Sequence, residues 1–280
     1  MKTLIAATDL MRELAGAHPP LLLDCSFDLA DPAAGRRAWS EGHLPGAFYL
    51  HLDDDLSGAK QGADGRFRGR HPLPDRAILA ARLGALGIDE ATPVVAYDGQ
   101  GGPYAARAWW LLKWMGHEDV AVLDGGVPAW RAAGGALTAA VPVPRSTSPY
   151  PLHAPAMPTL DAEAVRAGLG RLRLVDARAG ERFRGEVEPL DRAAGHIPGA
   201  RQRFFKDNLA PDGRFRSAAE LKALWAPLVS EGHIVHYCGS GVTACHNLLA
   251  VAHAGLGEGA LYPGSWSEWS DDPARPRAKG

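Results

Sequence analysis

The chain has 280 residues, of which 46% are apolar and 22% are charged, and its formal net charge is -2. This length suits two domains with real hydrophobic cores, and the balanced charge argues against a nucleic acid or another polyanion as a partner. No stretch approaches the roughly 20 apolar residues of a membrane span, so no membrane association is expected. The three cysteines, Cys25, Cys238 and Cys245, match neither a disulfide framework nor a metal site, which favours a reducing cytoplasm.

The N-terminal segment predicts a helix followed by a buried strand. Its short apolar run soon meets Asp9, Arg12 and Glu13, a pattern typical of an amphipathic helix and not of a signal peptide. The next apolar run, residues 21–24, ends in an aspartate and predicts a strand. Residues 42–47 then read Gly-His-Leu-Pro-Gly-Ala, and this box is the first of several features that occur twice.

The second half of the chain repeats the first. The box returns as Gly-His-Ile-Pro-Gly-Ala at residues 195–200, and an apolar strand ending in an aspartate precedes each copy. A second strand with a turn follows each box, and a Gly- and Trp-containing segment ends each half. These paired features lie at 94–99 and 234–239, and at 122–130 and 261–269. Matched features in one order at a nearly constant offset predict a tandem duplication.

The predicted fold is α/β, with one parallel sheet per half and helices on both of its faces. Apolar helical runs, such as 105–115 and 221–228, alternate with the strands, which is typical of such sheets. A Pro-rich stretch begins at Val141 and indicates a linker. We therefore predict a first domain over 1–140, a linker over 141–158 and a second domain over 159–280.

Cys238 is the strongest candidate for chemistry. The apolar strand 234–237 delivers it to a turn of small and β-branched residues, 239–244, which runs into a helical stretch from Cys245. A cysteine in this position faces backbone N–H groups and the positive end of a helix dipole, which favours the thiolate. The same cradle would hold a second sulfur on Cys238 as a persulfide. The alternative is a buried structural cysteine, which the Gly-rich turn disfavours.

The first half carries Asp98 where the second half carries Cys238. A carboxylate cannot serve as a sulfur nucleophile. The first half is therefore predicted to be catalytically silent, although it could still supply side chains to the site.

The paired boxes, the degenerate first half and the loop Cys-Gly-Ser-Gly-Val-Thr-Ala at 238–244 resemble the tandem rhodanese-domain sulfurtransferases over nearly the whole chain. The loop is typical of the 3-mercaptopyruvate branch, because the thiosulfate branch usually has Arg and Lys where this chain has Gly239 and Ser240. The resemblance implies a ping-pong reaction in which Cys238 takes sulfur from a small-molecule donor and passes it to a thiol or to cyanide. It also implies a thioredoxin-like dithiol as acceptor, and we expect a monomer without cofactor or metal.

The resemblance further implies a proton relay. Departure of the sulfur from mercaptopyruvate leaves an enolate that needs a proton, and Ser240 could supply it. In these enzymes the loop serine is linked to a histidine and an acid from the first domain. Here the candidates are His71 and Asp53, with Asp54 left open because the run 53–55 is one residue longer than usual. The alternatives are a solvent-facing histidine and a solvated acidic turn.

Substrate anchoring is the point at which the chain departs from the family pattern. The family holds the substrate carboxylate with one arginine in an Arg-Phe box and a second about nine residues on. Arg182 preserves the first, but Leu190 follows the Glu-Pro pair after which the second is expected. Arg192 could replace it, or the second arginine is missing. A surface role for both Arg182 and Arg192 is the alternative.

The remaining predicted substrate contacts are the backbone groups of the loop, at Gly239, Gly241, Val242 and Thr243. Two other classes of protein are possible for such a fold. A phosphatase of this fold needs Cys-x5-Arg, and Ala244 stands in a loop too short for that role. A non-catalytic binding module is disfavoured by the intact loop around Cys238. Thiosulfate remains the alternative donor.

Overall fold

The computed structural model describes residues 3–145, 148–229, 234–257 and 259–280. The chain divides into two compact units. Unit 1 comprises Met1–Ser57, Pro74–Ala156 and Pro211–Phe215, and unit 2 comprises Gly58–Leu73, Met157–Ala210 and Arg216–Gly280. Residues 146 and 147 of the predicted linker lie outside the described residues.

These units differ from the domains read from the repeat in one important respect. The segment Gly58–Leu73 precedes most of unit 1 in sequence but belongs to unit 2. Its bonds explain this membership, because Arg70 is ion-paired with Asp191 and its backbone N–H donates to Ser267 Oγ at 3.1 Å. The predicted linker, in turn, groups with unit 1 as far as Ala156.

Unit 1 is an α/β unit built on five short parallel strands in the order β1-β5-β4-β2-β3. The strands are β1 (Leu4–Ile5), β2 (Leu21–Asp24), β3 (Phe48–Tyr49), β4 (Val94–Tyr97) and β5 (Val120–Leu123). The helices are α1 (Ala7–Leu14), α2 (Ala34–Glu41), α3 (Arg76–Leu86), α4 (Pro103–Trp114) and α5 (Gly126–Ala132).

Unit 2 repeats the plan with four parallel strands in the order β7-β6-β8-β9. The strands are β6 (Arg173–Asp176), β7 (Arg201–Gln202), β8 (Ile234–Tyr237) and β9 (Ala260–Leu261). The helices are α6 (Ala162–Ala167), α7 (Gly180–Arg184), α8 (Ala218–Val229), α9 (Thr243–His253) and α10 (Ser265–Asp271), with a 3₁₀ turn at Phe205–Asn208. Within the described part of the chain, no helix is long and apolar enough to cross a membrane.

The inner strands β4 and β8 are buried on both faces, as expected for parallel strands that read as continuous apolar runs. In β8, Val235 and Tyr237 point into a cluster that includes Trp266 and Trp269 of α10. The alternate residue His236 faces Trp225 of α8, with ring centroids 5.5 Å apart. The predicted α/β fold with helices on both faces is therefore confirmed.

The two Gly-His-x-Pro-Gly-Ala boxes act as structural corners. His43 stacks on Trp39 and its ring Nδ1 lies 2.7 Å from the Trp39 carbonyl oxygen. His196 stacks in the same way on Phe183, with Nδ1 2.8 Å from the Phe183 carbonyl oxygen. Each histidine thus ties its box to a preceding helix.

His236 is a buried titratable group at the centre of the unit 2 sheet. Its side chain is fully buried, and neither ring nitrogen has a hydrogen-bond partner among the described residues. Burial lowers the pKa of His236 from 6.5 to about 3, because the charged imidazolium would lose its hydration without gaining a partner. The folded protein therefore holds this ring neutral across the whole physiological range.

The His236→Leu variant should lose less stability in acid than the wild type. Below about pH 6.5 the unfolded chain binds a proton at His236 that the folded chain refuses until about pH 3, so the free energy of unfolding falls as pH falls. The slope approaches about 1.4 kcal/mol per pH unit well below the unfolded pKa, and the loss between pH 6.5 and 5 is about 1.6 kcal/mol. Urea unfolding at pH 7.5, 6 and 5 measures it.

The control is His18→Gln, which replaces an exposed histidine and is unfolded in urea at the same three pH values. Equal acid losses in the wild type and His236→Leu would contradict this assignment.

Candidate active site

Cys238 lies directly after β8, in a loop whose backbone is fixed on both sides. Its carbonyl oxygen accepts the N–H of Trp266 at 2.9 Å, and the Gly239 carbonyl accepts that of Ser267 at 2.9 Å. The backbone N–H of Cys238 donates to Ser265 Oγ at 3.1 Å. The Cys238 thiol is buried, and the Gly241 N–H donates to its Sγ at 3.1 Å. The start of α10 therefore holds the nucleophile candidate in place.

Two residues take left-handed backbone conformations to form this arrangement. Gly241 has φ +77°, and a Cβ there would lie 2.3 Å from the Pro263 carbonyl oxygen. Ser265 has φ 54° although it is not glycine, a conformation that costs free energy and is tolerated where the surroundings demand it. Its hydroxyl compensates by bonding both the Cys238 N–H and the Tyr262 carbonyl.

The remaining loop residues lead into α9. Val242 is the buried residue before the helix, and Thr243 is its half-buried first residue. Cys245 is fully buried and its Sγ lies 3.3 Å from the Gly241 carbonyl oxygen. All four loop residues proposed for substrate contact, Gly239, Gly241, Val242 and Thr243, thus lie between Cys238 and the first turn of α9.

Ser240 and His71 meet as the sequence predicted. Ser240 Oγ and His71 Nδ1 lie 2.8 Å apart, and both side chains are buried, at 6% and 4% exposure. Both residues lie in unit 2, since the segment Gly58–Leu73 groups with that unit. A hydroxyl bonded to an imidazole, two residues from a thiol, is an arrangement that can pass a proton.

Asp53 belongs to unit 1 and is half-buried. Its alternative, Asp54, is 72% exposed and lies 3.3 Å from the ring of His51. Asp55 is committed elsewhere, because it accepts from the His51 N–H at 2.7 Å and pairs with Arg82 at 2.8 Å.

Arg182 lies beside the loop within a network of buried acids. Its Nη2 donates to Glu188 at 2.7 Å and to Asp191 at 2.9 Å, and both carboxylates are almost fully buried. Glu188 also pairs with Arg178 at 3.2 Å. A carbon atom added to Gly239 would lie 3.4 Å from Arg182 Nη1, so the guanidinium faces the residue that follows Cys238.

Arg70 is a second guanidinium at this place, and the sequence reasoning missed it. It pairs with Asp191, and its Nη2 lies 2.8 Å from the same point beside Gly239. Burial raises the pKa of Asp191, while the adjacent Arg70 opposes that shift. The available signal was the position of Arg70 next to His71, which was already assigned to the relay.

Arg192, the residue suggested for this position, lies elsewhere on the surface of unit 2. Its side chain is 66% exposed and donates to the Asp271 carbonyl at 3.2 Å. None of its hydrogen bonds within the described chain reaches the loop at Cys238.

The matching loop of unit 1 shows what such a turn binds. Asp98 is fully buried, and its carboxylate accepts four backbone N–H groups at 2.8–3.1 Å. Those N–H groups belong to Gln100, Gly102, Tyr104 and Ala105. The turn is thus a cradle for negative charge, which unit 1 fills with its own side chain.

Comparisons with known proteins agree with this geometry. The model of the rhodanese-like domain matches residues 6–133 and 161–272. The "Probable 3-mercaptopyruvate sulfurtransferase" of Pseudomonas aeruginosa is 49% identical, covering 93% of this chain and 92% of its own length. The "Putative thiosulfate sulfurtransferase SseB" of Mycobacterium tuberculosis is 42% identical over 100% of this chain and 98% of its own. The structure of 3-mercaptopyruvate sulfurtransferase from Leishmania major is 30% identical, with a TM-score of 0.84 over 96% of this chain and 74% of that one.

The chain therefore belongs to the rhodanese family, with two rhodanese-like domains in tandem. The relatives confirm the enzyme class predicted from the sequence, a sulfurtransferase. Their names differ in the sulfur donor.

Asp98→Asn should destabilise the protein by about 1–3 kcal/mol, because the amide presents N–H groups to backbone N–H donors and leaves some of them unpaired. Sulfur transfer should stay within about twofold of wild type if unit 1 is silent. Urea unfolding and a thiocyanate assay measure the two effects.

Asp28→Asn is the matched control, since Asp28 accepts one N–H, from Ala30, at an exposed turn. A loss of activity in Asp98→Asn at full stability would overturn the silent role of unit 1.

Proposed function

We propose that this protein transfers sulfur from 3-mercaptopyruvate, through a persulfide on Cys238, to a thiol acceptor. The observation that carries the choice of donor is the buried hydrogen bond between Ser240 and His71, 2.8 Å long and two residues from the nucleophile. A mercapto-acid donor needs a proton at this place, whereas thiosulfate departs as sulfite and needs none.

The proposed reaction consists of two half-reactions at Cys238. The Cys238 thiolate attacks the donor sulfur, an S–S bond forms, and the carbon–sulfur bond breaks with its electron pair going to carbon. The enolate of pyruvate results, and it takes a proton through Ser240 while His71 resupplies the hydroxyl. An acceptor thiolate then attacks the outer sulfur, the S–S bond to Cys238 breaks with its electron pair going to the Cys238 sulfur, and the acceptor leaves as a persulfide. With cyanide in place of the thiol, the product is thiocyanate.

The loop around Cys238 supports this intermediate. The Gly241 N–H already donates to Sγ, and the equivalent turn in unit 1 directs four N–H groups at one carboxylate. By this likeness the backbone from Gly239 to Thr243 would stabilise the outer sulfur of the persulfide as an anion. No metal or organic cofactor enters these steps.

Arg182 is the proposed anchor of the donor carboxylate, because its guanidinium faces Gly239 next to the nucleophile. Asp53 is the proposed acid that orients His71, and the exposed position of Asp54 disfavours the alternative. The proposed acceptor is a thioredoxin-like dithiol in a reducing cytoplasm, as the family resemblance and the three free cysteines suggest.

Cys238→Ser should abolish sulfur transfer from both donors, because a hydroxyl cannot carry sulfane sulfur. The wild type should use mercaptopyruvate with kcat/KM at least about tenfold above that for thiosulfate, since one charge-assisted contact is worth about that factor. Thiocyanate formation with each donor gives both numbers.

Cys245→Ser is the control for thiol loss, and it should retain activity. A wild type inactive with both donors would sink the enzyme assignment, and a preference for thiosulfate would sink the donor assignment.

Ser240→Ala should lower kcat with mercaptopyruvate by about 10²-fold, the usual contribution of one positioned proton donor. Turnover of thiosulfate should change by less than about threefold, because sulfite needs no proton on leaving. Steady-state kinetics with both donors tests the difference.

Thr243→Ser, which keeps a hydroxyl at the far end of the loop, is the control. An equal fall with both donors in Ser240→Ala would mean that Ser240 shapes the loop and relays no proton.

A further inference from the structure

We propose that Arg70 is the second clamp for the donor carboxylate and that Asp191 positions it. The inference rests on the proposed function and extends it, because it names the residue that makes the site specific for 3-mercapto-2-oxo acids. Arg70 is 112 residues from Arg182 in sequence, yet both belong to unit 2 and meet at the same acid.

Two guanidinium ends converge beside the nucleophile. Arg70 Nη2 and Arg182 Nη1 lie 2.8 and 3.4 Å from the point where a Cβ on Gly239 would be. Both arginines direct other nitrogens at carboxylates, Arg70 through Nη1 and Arg182 through Nη2. The two facing nitrogens donate to no acceptor among the residues that the structure describes. Because Gly239 has no side chain, two charged donors are left open to a ligand next to Cys238.

The chain holds Arg70 at this point by its backbone. Gly69 has φ +101°, and a Cβ there would lie 2.7 Å from the Gly264 carbonyl oxygen, so only glycine permits the approach. The Arg70 N–H then donates to Ser267 Oγ at 3.1 Å. The Ser267 N–H bonds Gly239. Arg70 is thus fixed to the same turn that holds the nucleophile loop.

Asp191 orients both arginines, because its Oδ1 accepts a hydrogen bond from Arg70 and its Oδ2 accepts one from Arg182. Its side chain is 2% exposed, while those of Arg70 and Arg182 are 21% and 18% exposed. The acid is therefore more deeply buried than the two guanidinium groups, each of which keeps part of its surface exposed. A substrate carboxylate would meet a planar, pre-oriented pair of donors.

The charge of this cluster selects among anionic donors. Arg70, Arg178 and Arg182 face the carboxylates of Asp176, Glu188 and Asp191, so the described ion pairs balance to zero. A monoanion therefore adds one uncompensated charge and a dianion adds two. The cluster favours a monocarboxylate such as mercaptopyruvate over thiosulfate.

Arg70→Gln should lower kcat/KM for mercaptopyruvate by about 10- to 100-fold, mainly through KM, because a charge-assisted bond to the donor is lost. With 1-mercaptopropan-2-one, which has the same thiol and ketone but no carboxylate, kcat/KM should change by less than about threefold. Arg70→Lys should recover part of the loss with mercaptopyruvate. Thermal unfolding of each variant confirms that it folds.

Arg68→Gln is the matched control, because Arg68 lies on the same segment and pairs with Asp64 at a partly exposed site. It should leave both donors unchanged. If Arg70→Gln lowers kcat/KM equally for mercaptopyruvate and 1-mercaptopropan-2-one, or lowers it for neither, this inference is overturned. If the wild type does not use mercaptopyruvate at all, the proposed function fails first.

Asp191→Asn tests the charge argument from the opposite direction. Removing one carboxylate leaves the cluster with an excess positive charge, so the ratio of kcat/KM for thiosulfate to that for mercaptopyruvate should rise about threefold or more. An unchanged ratio in a folded variant would overturn the positioning and charge role of Asp191.

Discussion

The arrangement of unit 2 around Cys238 depends on the ion pairs that the Asp191 carboxylate makes with Arg70 and Arg182. This carboxylate is buried, and it accepts hydrogen bonds from the segment Gly58–Leu73 and from α7. Without Asp191, Arg70 would lose its ion-pair partner at a largely buried position, which costs far more than the loss of a surface pair. The same carboxylate thus secures the Arg70–His71 segment and orients two cations beside Gly239.

The two copies of the turn show how one backbone design serves two ends. In unit 1 the turn closes on Asp98, whose four N–H bonds offset part of the cost of burying a carboxylate. In unit 2 the corresponding side chain is a thiol that accepts one N–H bond, from Gly241. The carboxylate of Asp98 fills the turn of unit 1, whereas the turn of unit 2 carries no carboxylate at the matching position. The two copies therefore share the turn and differ in the side chain that it holds, a carboxylate in unit 1 and a thiol in unit 2.

Much of the fold could be predicted from the sequence, because parallel strands buried on both faces leave a strong local signal. The runs 21–24, 94–97 and 234–237 are strands in the structure, and the run from Cys245 lies in α9. The meeting of Ser240 and His71 was also predicted, through the family pattern. Arg70 was not, since its role depends on Gly58–Leu73 leaving its own half of the repeat. Arg192 was the candidate from the sequence because it follows the Glu-Pro pair, but sequence distance says little about which cation reaches Gly239.

The excursion of Gly58–Leu73 also bears on how such a protein can evolve. A duplicated chain whose halves are self-contained can lose one copy and remain functional. Here the portion with Cys238 takes Arg70 and His71 from sequence that the repeat assigns to the other copy. A fragment beginning after the Pro-rich stretch would lack both residues and would leave Asp191 with one cation fewer. The half bearing Asp98 therefore cannot be removed without also removing two residues that belong to unit 2.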